Sequence, residues 1–146
     1  MLEVTMDSNT SALMASMKGF GPEVMKALGN AFRRELRRTR SDALARFRST
    51  TIGRRLPRRD SAGLVALSRV RREDGGLVAT LSAKGMAGLV ETGGRTGPHR
   101  VRHPGGPVAA HPFLRPAAEG VTDRIATEMR EAVLSIWVGR LLAERT

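Results

Sequence analysis

Three histidines in one glycine- and proline-rich stretch are the side chains with the clearest capacity for chemistry. They are His99, His103 and His111, and imidazole is the commonest metal ligand in proteins. The four-residue spacing of His99 and His103 would align two ligands only on a helix, which Pro98 and Pro104 prevent. We therefore expect exposed loop histidines, no metal site and no cofactor.

Other catalytic arrangements are missing from the sequence. No serine lies in a nucleophile-elbow motif, and no base and orienting acid can be assigned to one. The glycine-rich residues 91–97 lack the lysine and the spacing of a phosphate-binding loop. We interpret Glu128 and Glu131 as part of the solvated face of a helix. We expect a protein that is not an enzyme.

Composition favours a basic protein with a thin core. The formal charge is +11, 22 of the 25 basic residues are arginine, and aromatic residues are 3%. Cysteine is absent, which excludes disulfides and thiolate sites. No stretch has the length and apolarity of a membrane span, and no signal peptide is evident, so we expect the cytoplasm and no membrane contact. Acidic partners such as nucleic acid suit the charge, although arginine-rich faces are often merely solvated.

The first half of the chain predicts one long helix and an exposed loop. Residues 2–6 alternate in polarity, as in a short strand or an ordered arm, and residues 1–22 form an N-terminal segment with a short helix. Pro22 can open the long helix, whose apolar positions recur from Met25 to Phe47 at helical spacing. Its other face carries arginines. Residues 50–62 show no period and predict a basic, extended loop.

The middle of the chain predicts a small sheet. Leu64–Val70 and Leu77–Ser82 flank a glycine-containing turn, as in a hairpin, and Met86–Glu91 is expected to add a third strand. Residues 92–110 follow as a long glycine- and proline-rich loop. Loops of this length in compact domains are usually functional or disordered.

The last third begins with Pro112-Phe113-Leu114-Arg115-Pro116-Ala117. Pro116 suits the first position of a helix that is expected to run almost to Thr146. We predict Phe113, Leu114, Pro116 and Trp137 as core anchors. The predicted class is α+β, with a small antiparallel sheet packed by long N-terminal and C-terminal helices in a single domain, residues 1–146.

The order of these elements resembles the tail-completion or minor tail proteins of long-tailed bacteriophages. The resemblance covers about residues 23–145 and depends mostly on two motifs, Leu89-Val90-Glu91-Thr92-Gly93 and Pro112–Ala117. Pro57 and Gly63-Leu64 also match. The chain departs from the family at Ala62, where threonine is frequent, and at Met86, where an aromatic residue is frequent.

The resemblance implies a structural role in the virion, at the neck or tail, after assembly in the host cytoplasm. It implies a homo-oligomeric ring, expected to be a hexamer, that completes the tail and joins it to the head. The implied partners are tail-tube or tail-terminator proteins and head-connector proteins, with non-specific contact to genomic DNA.

Two alternatives remain open at the level of sequence. One is a basic, non-specific nucleic-acid-binding protein of a mobile element, and the other is a small interaction module such as a toxin–antitoxin partner. The arginines predicted to face DNA or protein partners are Arg54, Arg55, Arg58, Arg59, Arg95, Arg100 and Arg102.

Overall fold

The structure is a computed structural model that describes residues 2–7, 21–73, 76–95 and 107–145. Its helices are α1 (Pro22–Ser49), α2 (Thr51–Arg55), α3 (Arg58–Leu64), α4 (Gly85–Thr92), α5 (Leu114–Ala118) and α6 (Val121–Glu144). Its strands are β1 (Leu2–Asp7), β2 (Val65–Leu67), β3 (Arg71–Glu73), β4 (Gly76–Ala83), β5 (Gly94–Arg95) and β6 (Pro107–Val108). The short helix predicted within residues 1–22 lies outside the described residues, and residues 2–7 form a strand.

The main sheet is antiparallel and centred on β4. The strand order is β1-β4-β2, and β3 also pairs with β4. Val65 lies opposite Ala83, and Glu73 lies opposite Gly76, so β2 and β3 follow one edge of β4 in succession. The predicted hairpin is therefore present, with a break after Leu67. A separate two-stranded ladder joins β5 to β6. The α+β prediction is confirmed.

The long helix α1 has the predicted period and starting point. It begins at Pro22 and buries one side, including Leu28, Phe32, Leu36 and Phe47, while most of its arginines are exposed. A proline at the start loses no hydrogen bond, because the first N–H groups of a helix have no partner within it. The apolar spacing therefore determines which side of α1 is buried.

Two predictions of local structure are wrong. Residues 50–62 are not an extended loop, because α2 and α3 occupy most of them. Met86–Glu91 is not a third strand but part of α4, which buries Ala87, Val90 and Glu91. A short apolar run does not distinguish a strand from a buried helix, and helices of five to eight residues are too short to show a period.

The predicted C-terminal helix is interrupted. A first short helix, α5, ends at Ala118, and Gly120 then adopts a left-handed conformation, with φ 70°, before α6 starts at Val121. The prediction of one continuous helix from Pro116 is wrong because Glu119 and Gly120 form a turn between two helices. Pro116 is the third residue of α5 rather than its first.

The described residues divide into two compact units. Unit 1 combines residues 2–5, 39–68, 80–95 and 107–119, and unit 2 combines residues 6–7, 21–38, 69–73, 76–79 and 120–145. The core of unit 1 includes Phe47, Val65, Leu81, Phe113 and Leu114, and that of unit 2 includes Leu28, Phe32, Leu36, Ile125 and Met129. The expectation of a single domain over residues 1–146 stays a prediction.

Candidate functional site

A buried carboxylate joins the two motifs that flank the long loop in unit 1. Glu91, near the end of α4, is 4% exposed. Its Oε2 atom accepts the backbone N–H groups of Phe113 at 2.7 Å and of Leu114 at 2.9 Å, and its Oε1 atom accepts that of Arg115 at 3.3 Å. We call these three contacts the Glu91 clamp. They join two segments more than twenty residues apart in the sequence.

The clamp supplies what the start of α5 lacks. Helices usually begin with a Ser, Thr, Asp or Asn side chain that accepts the first free N–H groups. Phe113 occupies that position in α5 and has no such acceptor. Glu91 accepts the N–H groups of Leu114 and Arg115 instead, and Pro116 has no N–H to satisfy. A negative charge is also favourable beside a helix N-terminus.

Backbone contacts close the loop beyond the clamp. The N–H of His111 donates to the carbonyl of Val90 at 2.7 Å. Gly94 pairs with Val108 and Arg95 with Pro107 in the β5–β6 ladder. The two ends of the loop are therefore joined at several successive points, although residues 96–106 lie outside the described residues.

Gly93 is needed for this closure. It ends α4 with φ 74° and ψ 171°, a combination that is nearly restricted to glycine. A Cβ atom at this position would lie 3.1 Å from the backbone nitrogen of Ala110 and 3.2 Å from the carbonyl oxygen of Val108. The opposite side of the loop thus leaves little room for a side chain.

Gly93→Ala is expected to lower the free energy of unfolding by about 2 kcal/mol, from the strained backbone and the crowded Cβ. Urea unfolding followed by circular dichroism measures this. Gly63→Ala is the control, because a Cβ there meets nothing within 4 Å. Equal effects of the two substitutions would show that the close approach at Gly93 has no energetic weight.

The four predicted core anchors differ in how deeply their side chains are buried. Phe113 and Leu114 are 1% and 0% exposed, and the ring centroid of Phe113 lies 5.2 Å from that of Phe47. Pro116 is half-buried. Trp137 is 47% exposed, so its assignment to the core of the chain is wrong. The buried residues of α6 end at Val133, one turn before Trp137.

Hydrogen bonds hold the two short helices that carry the arginines of residues 54–59. Thr50 caps α2, its Oγ1 atom accepting the N–H of Gly53 at 3.1 Å. Arg48 donates from Nε to Ser61 Oγ and from Nη2 to the carbonyl of Arg58, both at 3.0 Å. These bonds tie the end of α1 to α3. The resulting surface exposes the side chains of Arg54, Arg55, Arg58 and Arg59.

Arg40, like Arg48, hydrogen-bonds to the backbone around α3 and helps to hold that helix in place. Arg40 donates from Nη2 to the carbonyl of Ala62 at 2.9 Å and from Nε to that of Val65 at 3.0 Å. Cations near a helix C-terminus satisfy its free carbonyls. The arginines of this region therefore have two roles, of which the sequence predicted only the exposed one. Arg100 and Arg102 lie outside the described residues, and for Arg95 the backbone alone is described.

Unit 2 has its own charged cluster and a basic groove. The buried Glu35 accepts from Arg124 Nε at 2.7 Å, and Arg38 bridges Glu35 and Glu128 at 3.3 and 2.9 Å. The hydrogen bond and the charge of Glu128 raise the pKa of Arg38 above its usual value. A groove of about 650 Å³ lies beside α1, and its basic lining residues are Lys26, Arg33, Arg71 and Arg72. The sequence alone does not predict this groove, because its arginines come from segments distant in sequence.

Of the three histidines, His99 and His103 lie outside the described residues. Within them, no three histidine, aspartate or glutamate side chains are grouped to hold a metal ion. No helix there has the length and apolarity needed to cross a bilayer. The sequence matches no family model, no curated protein and no solved structure.

Proposed function

We propose that the chain is a structural protein of the bacteriophage neck or tail, which forms a ring, completes the tail and joins it to the head. The observation that carries the proposal is the Glu91 clamp. The two motifs that resemble the tail-completion family, one ending at Gly93 and the other starting at Pro112, are directly bonded to each other in unit 1.

A clamped loop suits a protein that acts by contact. Surface loops held at both ends by a rigid scaffold commonly carry binding function. The clamp and the β5–β6 ladder hold the two ends of residues 93–110 together in unit 1, and the neighbouring tail and connector proteins are the partners we assign to that loop. The role is structural and requires no catalytic group.

Deletion of the gene in the element that encodes it tests the proposal. We expect filled heads and separate tails in negative-stain micrographs, and restored virions when the wild-type gene is supplied in trans. A variant lacking residues 96–106 should fold but fail to restore joining. Intact virions without the gene would contradict the proposal.

A second candidate function is non-specific nucleic-acid binding, which the four exposed arginines of α2 and α3 favour. If they contact phosphates, replacing Arg54, Arg55, Arg58 and Arg59 by glutamine should reduce the slope of log K against log salt by about 4. Fluorescence anisotropy with a DNA duplex at several salt concentrations measures the slope. The control replaces Arg40, whose role is internal. An unchanged slope would exclude this surface as the DNA contact.

A further inference from the structure

The C-terminal half of α6 exposes a continuous set of large apolar side chains. Their exposed fractions range from 47% to 62%, and we call them the apolar stripe: Leu134, Trp137, Val138, Leu141 and Leu142. The intervals of three, one, three and one residues place all five along one side of a helix. This stripe contains the only tryptophan of the protein.

The stripe begins where the buried row of α6 ends. Val121, Ile125, Met129 and Val133 are the buried residues of this helix. Residues four apart turn about 40° around the helix axis at each step, so Trp137 and Leu141 continue this row beyond Val133, and both are exposed. The core of unit 2 therefore covers the first half of α6, and the apolar stripe of the second half is exposed.

We infer that the stripe is the contact between two copies of this chain, paired as antiparallel α6 helices around Val138. A two-fold axis at Val138 places each residue opposite the one equally distant on the other side. Leu134 then lies opposite Leu142 of the second copy, and Glu131 lies opposite Arg145. Both charged residues are exposed in the single chain.

Charge complementarity favours a second copy in this orientation. The antiparallel pair makes two Glu131–Arg145 contacts, one at each end of the stripe. A parallel pair would place Glu131 beside Glu131 and Arg145 beside Arg145, which is unfavourable. The same helix therefore carries an apolar surface and the charges that complement it at both ends.

The area is sufficient for a weak dimer. From the exposed fractions, the five side chains offer roughly 500 Å² per copy, so a pair would bury about 1,000 Å², near the lower limit for a specific interface. We expect an association that depends on concentration. A two-fold contact closes with two copies and builds no ring by itself, so this inference is independent of the proposed function.

Val138→Glu tests the contact, with Gly139→Glu as the matched control. Both add one charge at adjacent positions of α6, but residue 139 points about 100° away, and a Cβ there meets nothing within 4 Å. Light scattering after size exclusion should show a concentration-dependent dimer for wild type and the control. Val138→Glu should raise the dissociation constant about a hundredfold, because two charges enter an apolar contact. Tryptophan emission should shift to the red when wild type is diluted.

A charge exchange tests the orientation. Glu131→Arg alone and Arg145→Glu alone should each weaken the dimer about tenfold, and the double variant should restore it. Circular dichroism checks that each variant is folded. A wild-type chain that stays monomeric at submillimolar concentration would overturn the inference, as would a dimer that is insensitive to Val138→Glu. A double variant no tighter than either single one would overturn the antiparallel orientation.

Discussion

Glu91→Ala is expected to lower the free energy of unfolding by about 3–5 kcal/mol, because it removes three hydrogen bonds to one charged acceptor and leaves buried N–H groups without a partner. The N–H groups of Phe113 and Leu114 are in the buried part of the clamp, and no side chain at the start of α5 can replace the carboxylate. The measurement is urea unfolding followed by helical circular dichroism.

Glu91→Gln tests whether the hydrogen bonds of Glu91, rather than the volume of its side chain, stabilise the fold. Glutamine keeps one acceptor oxygen for Phe113 and Leu114 but turns an amide group towards the N–H of Arg115, so we expect a loss of about 1–2 kcal/mol. Glu73→Ala is the control for removing a carboxylate, since Glu73 is exposed and its pair with Arg71 spans 3.6 Å. A similar loss for Glu73→Ala and Glu91→Ala would contradict the role of the clamp.

The clamp also predicts a local effect on the loop. If Glu91 holds both ends of residues 93–110, then Glu91→Ala should accelerate proteolysis within that range more than proteolysis of α1 under native conditions. Mass spectrometry of the first fragments identifies the cleavage sites. A uniform increase across the whole chain would indicate global destabilisation alone.

Phe113→Ala is expected to cost about 3–5 kcal/mol in the free energy of unfolding, the usual range for a fully buried phenylalanine. Phe113 is 1% exposed and packs against Phe47 in unit 1. Its backbone also donates to Glu91, so the cavity would form beside the clamp. Phe113→Leu retains most of the volume and should cost less than about 1.5 kcal/mol.

Trp137→Ala provides the contrast for this second prediction. Trp137 is 47% exposed, so we expect a loss of about 1 kcal/mol or less in dilute solution. The sequence predicts both aromatic residues as core anchors, and both side chains are large. Equal costs for Phe113→Ala and Trp137→Ala would mean that Trp137 contributes to a core of the single chain.

Much of the fold follows from local pattern. Pro22 and the helical spacing from Met25 to Phe47 predicted α1, and the glycine-containing turn predicted the hairpin. In both cases many residues repeat one signal over a long segment. The short helices α2, α3 and α4 were missed because five to eight residues carry too few apolar positions to define a period.

The sequence predicts one side of the Glu91 clamp and not the other. The two prolines and the apolar pair between them predict Phe113 and Leu114 as anchors. The apolar run that ends at Glu91 predicts a strand there instead of a helix. One signal was available: a helix start at Phe113 with no capping side chain requires an acceptor from elsewhere. The sequence does not say which carboxylate provides it, because that depends on which segments pack together.

By itself, the amino-acid sequence determined the basic charge, the α+β class, the long helix α1 and the buried Phe113-Leu114 pair, all of which depend on composition or on neighbours along the chain. Only the tertiary structure decided that Glu91 holds the start of α5, that Arg40 and Arg48 are internal supports, and that Trp137 is exposed. The spacing of apolar residues along the sequence indicates that a helix has an apolar side. Which apolar residues are buried depends on what packs beside the helix, and in α6 the buried residues end at Val133.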